Sequence, residues 1–449
     1  MTLNIGFDKE LSKNVLNLAY PVILGMMSQT ILGIVDTAMV GRLGAEALAA
    51  TGFASAIFLG FINFFGALGV GTQALTARRY GQDDKSGCGR VLFNALLIAL
   101  LVAIPFSVAG FTAGGHVFSF VSKDIKVAEY GAAYLEYRFL GMLFILVNVA
   151  VSRFFNGIGN TKIYMKAAII INGLNIILDY LFIFGNLGFP RLEVKGAAIA
   201  STLATIIGTG YYLSVSVNRA YYKEYSYFRS RNLDWPNLWS ISKISFPPGI
   251  QSLLTTAGFF VFLWIIGRIG TTDVAATIIV VKVTSFSFTT AIGFGIAAAT
   301  LIGQHMGAAE FDTAEKSVWE SAKLGAFFLG AFGLIFIIVP VPIIKIFTNH
   351  QNIIDIAALP LRIVGFIQVF DAYRIVLEHA LQAAGNPQWV MFSEIAVNWL
   401  VLVPLTYLLT IKFNYGTCGA WISLDIFVVV LATAMIWKFR QGKWRTISI

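Results

Sequence analysis

Acidic side chains lie inside segments of the chain that are otherwise apolar enough to cross a membrane. The run over residues 25–40, GMMSQTILGIVDTAMV, contains Asp36, and a carboxylate near the middle of a spanning helix costs roughly 2.5 to 3.5 kcal/mol. Gly25, Gln29 and Gly33 recur at four-residue intervals on one helical face. Asp36 follows on that face, and small residues at this spacing let another helix come close. Asp36 is therefore predicted to face a helix bundle or a wet cavity, as part of an ion pathway or as a hydrogen-bonding partner of a neighbouring helix.

A second polar group lies in the fifth apolar segment, IINGLNIILDYLFIFG. Asn172, Asn175 and Asp179 are three and four residues apart, so their side chains project from one helical face. A carboxylate beside amide oxygens can bind a small hard cation or accept a proton. The same group can be an interhelical hydrogen-bond cluster, worth about 0.6 kcal/mol per contact. Because Asp36 lies in the same half of the chain, we predict that the two carboxylates share a proton or a Na⁺.

The sixth segment supplies two hydroxyl groups, which follow the sequence GAAIA. Ser201 or Thr202 could add an oxygen to the cation site. The signal is weak by itself, because such hydroxyls in spanning helices often bond their own backbone.

Charged residues also lie within two spans of the second half. Asp371, Arg374 and Glu378 are spaced three and four residues apart, as in ion pairs along one helix. We interpret them as a structural charge network, with the lining of a substrate cavity as the alternative. Lys282 is expected to neutralise one of these acids.

The composition is that of an integral membrane protein. The 449 residues are 57% hydrophobic and 12% charged, and the mean hydropathy of +0.77 is outside the range of soluble domains. The net charge of +9 comes from basic residues in short loops between apolar runs, which is typical of topology signals. The two cysteines and four histidines have no metal or redox spacing. We therefore predict no enzymatic activity, no cofactor and no nucleic-acid partner.

Apolar runs of about 20 residues predict an all-α membrane protein with twelve spans. The runs cover residues 15–41, 52–77, 91–120, 131–155, 164–187, 196–217, 241–267, 276–304, 319–347, 354–382, 388–411 and 417–437. The longest polar segment, 218–240, is predicted to be a cytosolic linker between two six-helix bundles, 1–217 and 241–449. The distribution of lysine and arginine predicts a multi-pass protein of the inner or plasma membrane with both termini in the cytosol.

The two halves are related in sequence. GRLGAEALAA at 41–50 aligns with GRIGTTDVAA at 267–276, and the same shift in numbering pairs GIGNT at 157–161 with AAGNP at 383–387. Six spans per repeat give both halves the same orientation, related by an axis along the membrane normal. Two such pseudo-symmetric bundles around a central cavity are the usual architecture of an alternating-access carrier.

The sequence resembles the multidrug and toxic compound extrusion (MATE) family over its whole length, and the DinF-like branch more closely than the NorM-like branch. The resemblance rests on ILGIVDTAMVGRLG in the first span, NGIGNT after the fourth, and NGLNIILDYLFIFG followed by VKGAAIAS. In that branch an acid, an amide with a second acid, and a hydroxyl form the cation site of the N-terminal half. The matching positions here are Asp36, Asn175, Asp179 and Ser201, with Thr202 adjacent.

Three further positions bear on the branch. Pro21 keeps the spacing of fifteen residues before the first-span acid, and the resemblance implies that it is a conformational hinge. Asp371 matches the family's tenth-span acid. Thr255 stands where the NorM-like branch has a seventh-span Glu, which puts a Na⁺ site in the C-terminal half in doubt.

The resemblance implies efflux of bulky, often cationic or amphipathic compounds in exchange for H⁺ or Na⁺, with Na⁺ held by Asp36, Asn175 and Asp179. We expect a monomer whose partners are small organic substrates and membrane lipid. The alternatives are a flippase of the same superfamily for lipid-linked oligosaccharide or polysaccharide, a membrane enzyme and a channel. A flippase would need many basic residues in its cavity, whereas only Arg138, Lys282, Arg362 and Arg374 lie in spans. An enzyme would need a surface metal pair, for which Asp83 and Asp84 are the only candidate.

Overall fold

The computed structural model describes residues 6–228 and 232–449, apart from the side chains of 119–121. Within these ranges the chain is all-α and contains no strand. The α-helices are α1 (Lys9–Gly41), α2 (Ala45–Gly66), α3 (Leu68–Gly81), α4 (Lys85–Val121), α5 (Ile125–Gly157), α6 (Thr161–Phe184), α7 (Glu193–Ser216), α8 (Arg219–Tyr225), α9 (Trp235–Gly267), α10 (Thr271–Gly307), α11 (Phe311–Ile338), α12 (Pro340–Lys345), α13 (Gln351–Ala383), α14 (Pro387–Val397), α15 (Val403–Tyr407) and α16 (Gly416–Arg440).

The twelve predicted spans are all present as helices that are long and apolar enough to cross a membrane. The second span is formed by α2 and α3, which meet at Ala67. The eleventh consists of α14, α15 and two π-helical segments, Asn398–Leu402 and Leu408–Lys412. Most helices extend beyond the predicted runs, because polar residues outside the apolar stretch continue the same helix, as at Lys9 in α1.

Short polar residues fix the starts of several helices. The Asp84 carboxylate accepts a hydrogen bond from Gly87 N at 2.7 Å and so caps α4, because the first N–H groups of a helix have no partner within it. Arg90 pairs with the same carboxylate at 3.2 Å. Asp84 is therefore a helix cap, and Asp83, the other acid of the pair that a membrane enzyme would need as a metal site, pairs with Lys85 at 3.8 Å.

The described residues between the sixth and seventh spans are held in place by packing and amide hydrogen bonds. They include the short helix α8, whose last residue, Tyr225, is buried, as is Tyr227 shortly after it. Asn94 of α4 donates to Asn232 O at 2.9 Å and accepts from Asp234 N at 3.2 Å. These contacts attach the described part of the predicted linker to the first half of the chain.

The helices pack as two compact units. Unit N is Leu24–Gly249, and unit C combines the described residues up to Ile23 with Ile250–Ile449. The predicted division at the linker 218–240 separates the two sequence repeats and stays a prediction. Units N and C are defined by packing instead. The first part of α1 belongs to unit C and the first part of α9 to unit N, so each of these helices runs from one unit into the other.

The two shared helices carry proline at equivalent places. Pro21 lies inside α1 and Pro247 inside α9, and the shift in numbering from one to the other is that of the predicted repeat. Each proline precedes a unit boundary by two residues. Proline in a helix interior removes one backbone hydrogen bond, so both shared helices are weakened near the point where they change unit.

Each unit has its own apolar core. In unit N, Leu92 of α4 packs with Phe154 and Phe155 of α5 and with Tyr227. The core of unit C is built mainly from α10, α11, α13 and α16, with Val280, Phe336, Leu361 and Trp421 among its buried residues. Within unit C the backbones of α11 and α13 also come close: a Cβ at Gly333 would lie 2.3 Å from Gly365 O.

Candidate functional site

The second part of α1 approaches α6 closely in unit N, at one of the predicted small residues. A Cβ on Gly25 would lie 2.7 Å from Tyr164 Cε1 and 3.3 Å from Ala168 Cβ. Gly33 has no such neighbour within 4 Å, and Gln29 is exposed. The predicted close approach is thus confirmed at Gly25 and is wrong at Gly33, because the contact with α6 does not extend that far along α1.

Asp179 is the most enclosed acid of this region. Its side chain is fully buried, and Asn175, one turn earlier on α6, donates from Nδ2 to Asp179 Oδ2 at 2.6 Å. The second oxygen, Oδ1, is buried and has no hydrogen-bond partner among the described residues. A buried carboxylate oxygen without a partner is costly, and binding of a proton or cation at this atom stays a prediction.

Asp36 lies close enough to Asp179 for the two carboxyl groups to interact electrostatically. Its Oδ1 atom is also buried and has no hydrogen-bond partner in the described part of the chain, while the residue as a whole is half-buried. Asn175 thus contacts Asp179 directly, and Asp36 lies within electrostatic range of the same carboxylate. Their function as a cation site stays a prediction.

The other three predicted ligands make different contacts. Asn172 donates from Nδ2 to Ser28 Oγ of α1 at 2.7 Å, and Thr202 donates its hydroxyl to Tyr137 O of α5 at 2.9 Å. Ser201 is buried. Within 6–228 and 232–449, none of the three hydrogen-bonds either acid, so their contribution to a cation site stays a prediction.

Two residues of α5 complete this cluster and were not selected from the sequence. Tyr134 is buried, and Ser55 of α2 donates to its hydroxyl at 3.4 Å. Arg138 follows one turn later with its guanidinium 4.7 Å from the centre of the Phe58 ring. Its charge acts on both Asp36 and Asp179. The sequence signal that could have identified them is an arginine inside an apolar span, four residues after a tyrosine.

A separate charge network lies in unit C around Arg374 of α13. This guanidinium contacts Asp371 at 2.8 Å and Glu378 at 3.5 Å along the same helix, as the spacing predicts. It also contacts Glu394 of α14 at 3.1 Å. Gln251 of α9 extends the network by donating to Glu378 at 2.7 Å.

Sequence analysis missed two acids of this network. Glu394 is buried, and Asp425 of α16 has a buried Oδ1 without a hydrogen-bond partner in the described chain and interacts electrostatically with Asp371. Both stand alone within apolar runs, without a charged residue at helical spacing. The carboxylates around Arg374 thus outnumber its single charge. Whether the network has a structural function or lines a substrate cavity stays a prediction.

The predicted partnership of Lys282 with an acid of the tenth span is not formed. Its side chain is exposed on α10, and within the described ranges it makes no ion pair. The reason is the rotation of α10, which leaves Lys282 on an exposed face, whereas Asp371 and Glu378 contact Arg374 of their own helix.

Comparison with known proteins identifies a family over most of the chain. A model of the MatE family matches residues 21–181 and again residues 247–408. The two matches begin at Pro21 and at Pro247, which are separated by the same shift as the internal repeat. They contain Asp36, Asn175 and Asp179 in the first copy and the Arg374 network up to Glu394 in the second.

Relatives of known name and structure cover almost the whole chain. The chain is 26% identical over 439 residues to a probable multidrug resistance protein NorM of Thermotoga maritima, covering 97% of this chain and 93% of the relative. A MOP superfamily transporter from Pyrococcus furiosus Vc1 superposes with a TM-score of 0.89 at 22% identity and full coverage of both chains. An outward-facing multidrug resistance MATE family transporter superposes with a TM-score of 0.90, also at 22% identity and full coverage of both.

Proposed function

Because the chain belongs to the MatE family, a family of transporters rather than enzymes, we propose that it is a secondary active antiporter that exports bulky, often cationic or amphipathic compounds. The coupling ion is H⁺, with Na⁺ as the second candidate. Substrate and ion alternate at the carboxylates of unit N. The name of the Thermotoga maritima relative, a probable multidrug resistance protein, supports a multidrug substrate range.

The observation that carries the proposal is that Asp36 and Asp179 each have a buried carboxylate oxygen without a hydrogen-bond partner among the described residues. Two nearby buried carboxylates repel each other when both are ionised. Binding a proton or a cation removes that repulsion, and so does binding a positively charged substrate. Occupancy by one therefore disfavours the other, which is the requirement for exchange.

The ion gradient supplies enough free energy for export. One charge that moves through 100 mV yields about 2.3 kcal/mol, which corresponds to a concentration ratio of about fiftyfold at 1.4 kcal/mol per decade. No nucleotide-binding motif of the form GxxxxGK[ST] occurs in the sequence, consistent with a transporter driven by an ion gradient.

The contacts in unit N favour H⁺ over Na⁺ as the coupling ion. Small cations need several oxygen ligands, whereas Asn172 is directed to Ser28 and Asn175 turns its amide NH₂ toward Asp179. A proton needs one carboxylate oxygen only, and each acid has one that makes no hydrogen bond to the part of the chain that the structure describes.

Pro21 supports the conformational part of the proposal. It lies two residues before the boundary at which α1 changes unit, and the second part of α1 carries Asp36. A bend at Pro21 would move Asp36 relative to α6, so ion binding and a change of access can be linked through one helix. The DinF-like assignment rests on the same residues and on Thr255, and it remains part of the proposal.

The multi-pass chain is proposed to lie in the inner or plasma membrane as a monomer, with both termini in the cytosol. The excess of lysine and arginine in the loops of that side supports this orientation.

The test is dye export from proteoliposomes with pH and Na⁺ gradients imposed separately. Wild type should export in response to the pH gradient, and Asp36→Asn and Asp179→Asn should each abolish export while reconstituting normally. Asp273→Asn is a matched control, since Asp273 lies in the first turn of α10 and accepts a hydrogen bond from Thr417.

Full export in both site variants would refute the proposal. Export driven by the Na⁺ gradient alone would identify Na⁺, and not H⁺, as the coupling ion. Competition by a pyrophosphate-linked lipid, with no dye export, would favour the flippase.

A further inference from the structure

Arg138 is a charged residue of unit N that the proposed exchange does not use. It projects from α5 beside Tyr134, and its guanidinium lies over the Phe58 ring of α2 at 4.7 Å. The Nε atom is buried without a hydrogen-bond partner in the described chain. No carboxylate within the described ranges lies within 4 Å of it, so Arg138 forms no direct ion pair.

The charge of Arg138 nevertheless acts on each ionisable group of the cluster. Its positive charge acts on Asp36 of α1, on Asp179 of α6 and on the Tyr134 hydroxyl. The other groups of the cluster, Ser55 and Asn175, carry no charge. Tyrosine is uncharged at neutral pH, so the charge of the cluster is set by two carboxylates and one guanidinium.

These three groups determine the charge that a substrate must bring. With both carboxylates ionised, the cluster carries one net negative charge, whereas it would carry two without Arg138. A buried site is most stable when its ligand neutralises it. One positive charge therefore suffices for the native cluster, and a second would be left without a partner.

We propose that Arg138 is a specificity-determining residue that selects organic cations of single positive charge over dications. This inference rests on the proposed exchange of substrate and ion at Asp36 and Asp179. A guanidinium that is held over Phe58 without an ion pair is suited to this function, since it adds charge to the site without blocking either acid.

Stacking of Arg138 on Phe58 could also serve only to join α5 to α2, and the variants separate the two functions. Arg138→Gln removes the charge, and Arg138→Lys keeps the charge but loses the planar group. Phe58→Leu removes the ring while leaving the arginine. Charge selection predicts an effect of the first variant only, whereas a packing function predicts similar effects of all three.

The experiment compares ethidium, a monocation, with propidium, a dication with the same ring system. Initial export rates of both dyes are measured in proteoliposomes under one pH gradient, and the ratio is taken within each variant so that protein amount cancels. Binding of both dyes to the purified full-length protein in detergent is measured by fluorescence anisotropy. Wild type should favour ethidium in both measurements.

Arg138→Gln is expected to lower the ethidium-to-propidium ratio about tenfold, equivalent to about 1.4 kcal/mol, while Arg138→Lys and Phe58→Leu retain the wild-type ratio. An unchanged ratio in Arg138→Gln would overturn the inference, and so would an equal loss in Arg138→Lys, or absence of binding of both dyes. Failure of the proposed function can be told apart from failure of this inference. In that case Asp36→Asn and Asp179→Asn would still export dye, whatever dye ratio the Arg138 variants show.

Discussion

The close approach of α1 to α6 predicts opposite effects for two glycine substitutions on the same helix. Glycine to alanine in a helix interior gains about 1 kcal/mol of intrinsic helix stability, and this gain is common to Gly25→Ala and Gly33→Ala. Only at Gly25 does the new methyl group meet a neighbour, 2.7 Å from the Tyr164 ring and 3.3 Å from Ala168 Cβ. Overpacking of this kind costs about 1–3 kcal/mol.

The two variants should therefore differ in unfolding free energy by about 1–3 kcal/mol, with Gly25→Ala the less stable. Because α1 carries Asp36 and α6 carries Asp179, pushing the helices apart should also slow export, whereas Gly33→Ala should export normally. The assays are unfolding in detergent followed by tryptophan fluorescence, and dye export from proteoliposomes.

Tyr164→Ala provides the decisive control for this reasoning. It removes the ring that the new methyl group would meet, so Gly25→Ala should cost less in a Tyr164→Ala background than in wild type, as a double-mutant cycle measures. Equal stability and export of Gly25→Ala and Gly33→Ala would refute the reasoning. So would a cycle with no interaction energy.

Three further predictions concern stability. Gly333→Ala should destabilise unit C by about 1–3 kcal/mol, because its methyl group would meet Gly365 O at 2.3 Å, while Gly330→Ala, 3.4 Å from Val369 Cγ2, should be nearly neutral in thermal unfolding. Asp84→Ala should cost about 0.5–2 kcal/mol at pH 7. Partial burial opposes ionisation of Asp84, but the hydrogen bonds from Gly87 and Ser86, with the charges of Arg90 and Arg79, hold its pKa below the ordinary value. The stability that Asp84 provides is thus complete above about pH 4 and is lost as the pH falls through the lower pKa of the folded state, so unfolding midpoints of variant and wild type should converge in acid. Glu320→Ala should increase tryptic cleavage at the start of α1, because Asp8 N and the Ser12 hydroxyl lose the buried carboxylate that accepts their hydrogen bonds; unchanged cleavage would contradict it.

Sequence analysis predicted the features that depend on one helix at a time. Apolar runs predicted all twelve spans, because hydrocarbon requires about 20 apolar residues whatever the helix packs against. Helical spacing placed Asn175 and Asp179 on one face, and their hydrogen bond at 2.6 Å confirms it. The shift that relates the two halves came from loop residues and agrees with the starts of the two family matches.

Features that depend on how several helices pack together could not be predicted in this way. Arg138 and Tyr134 join the acids of α1 and α6 only because α5 presents one particular face to them, and periodicity within α5 does not specify its neighbour. Glu394 reaches Arg374 across α13 and α14 for the same reason. The prediction for Lys282 was wrong because it paired two spans without knowing the rotation of either helix.

Sharing of α1 and α9 between the units has a consequence for how the polypeptide can be divided. A break between α8 and α9 would leave the start of α1, which belongs to unit C, on the first fragment. It would also place the start of α9, which belongs to unit N up to Gly249, on the second fragment. Neither fragment would then be self-sufficient, although each contains six spans. Fragments made separately should be degraded. Fragments made together should both be stable, because each supplies the first part of a helix, α1 or α9, that completes the unit of the other.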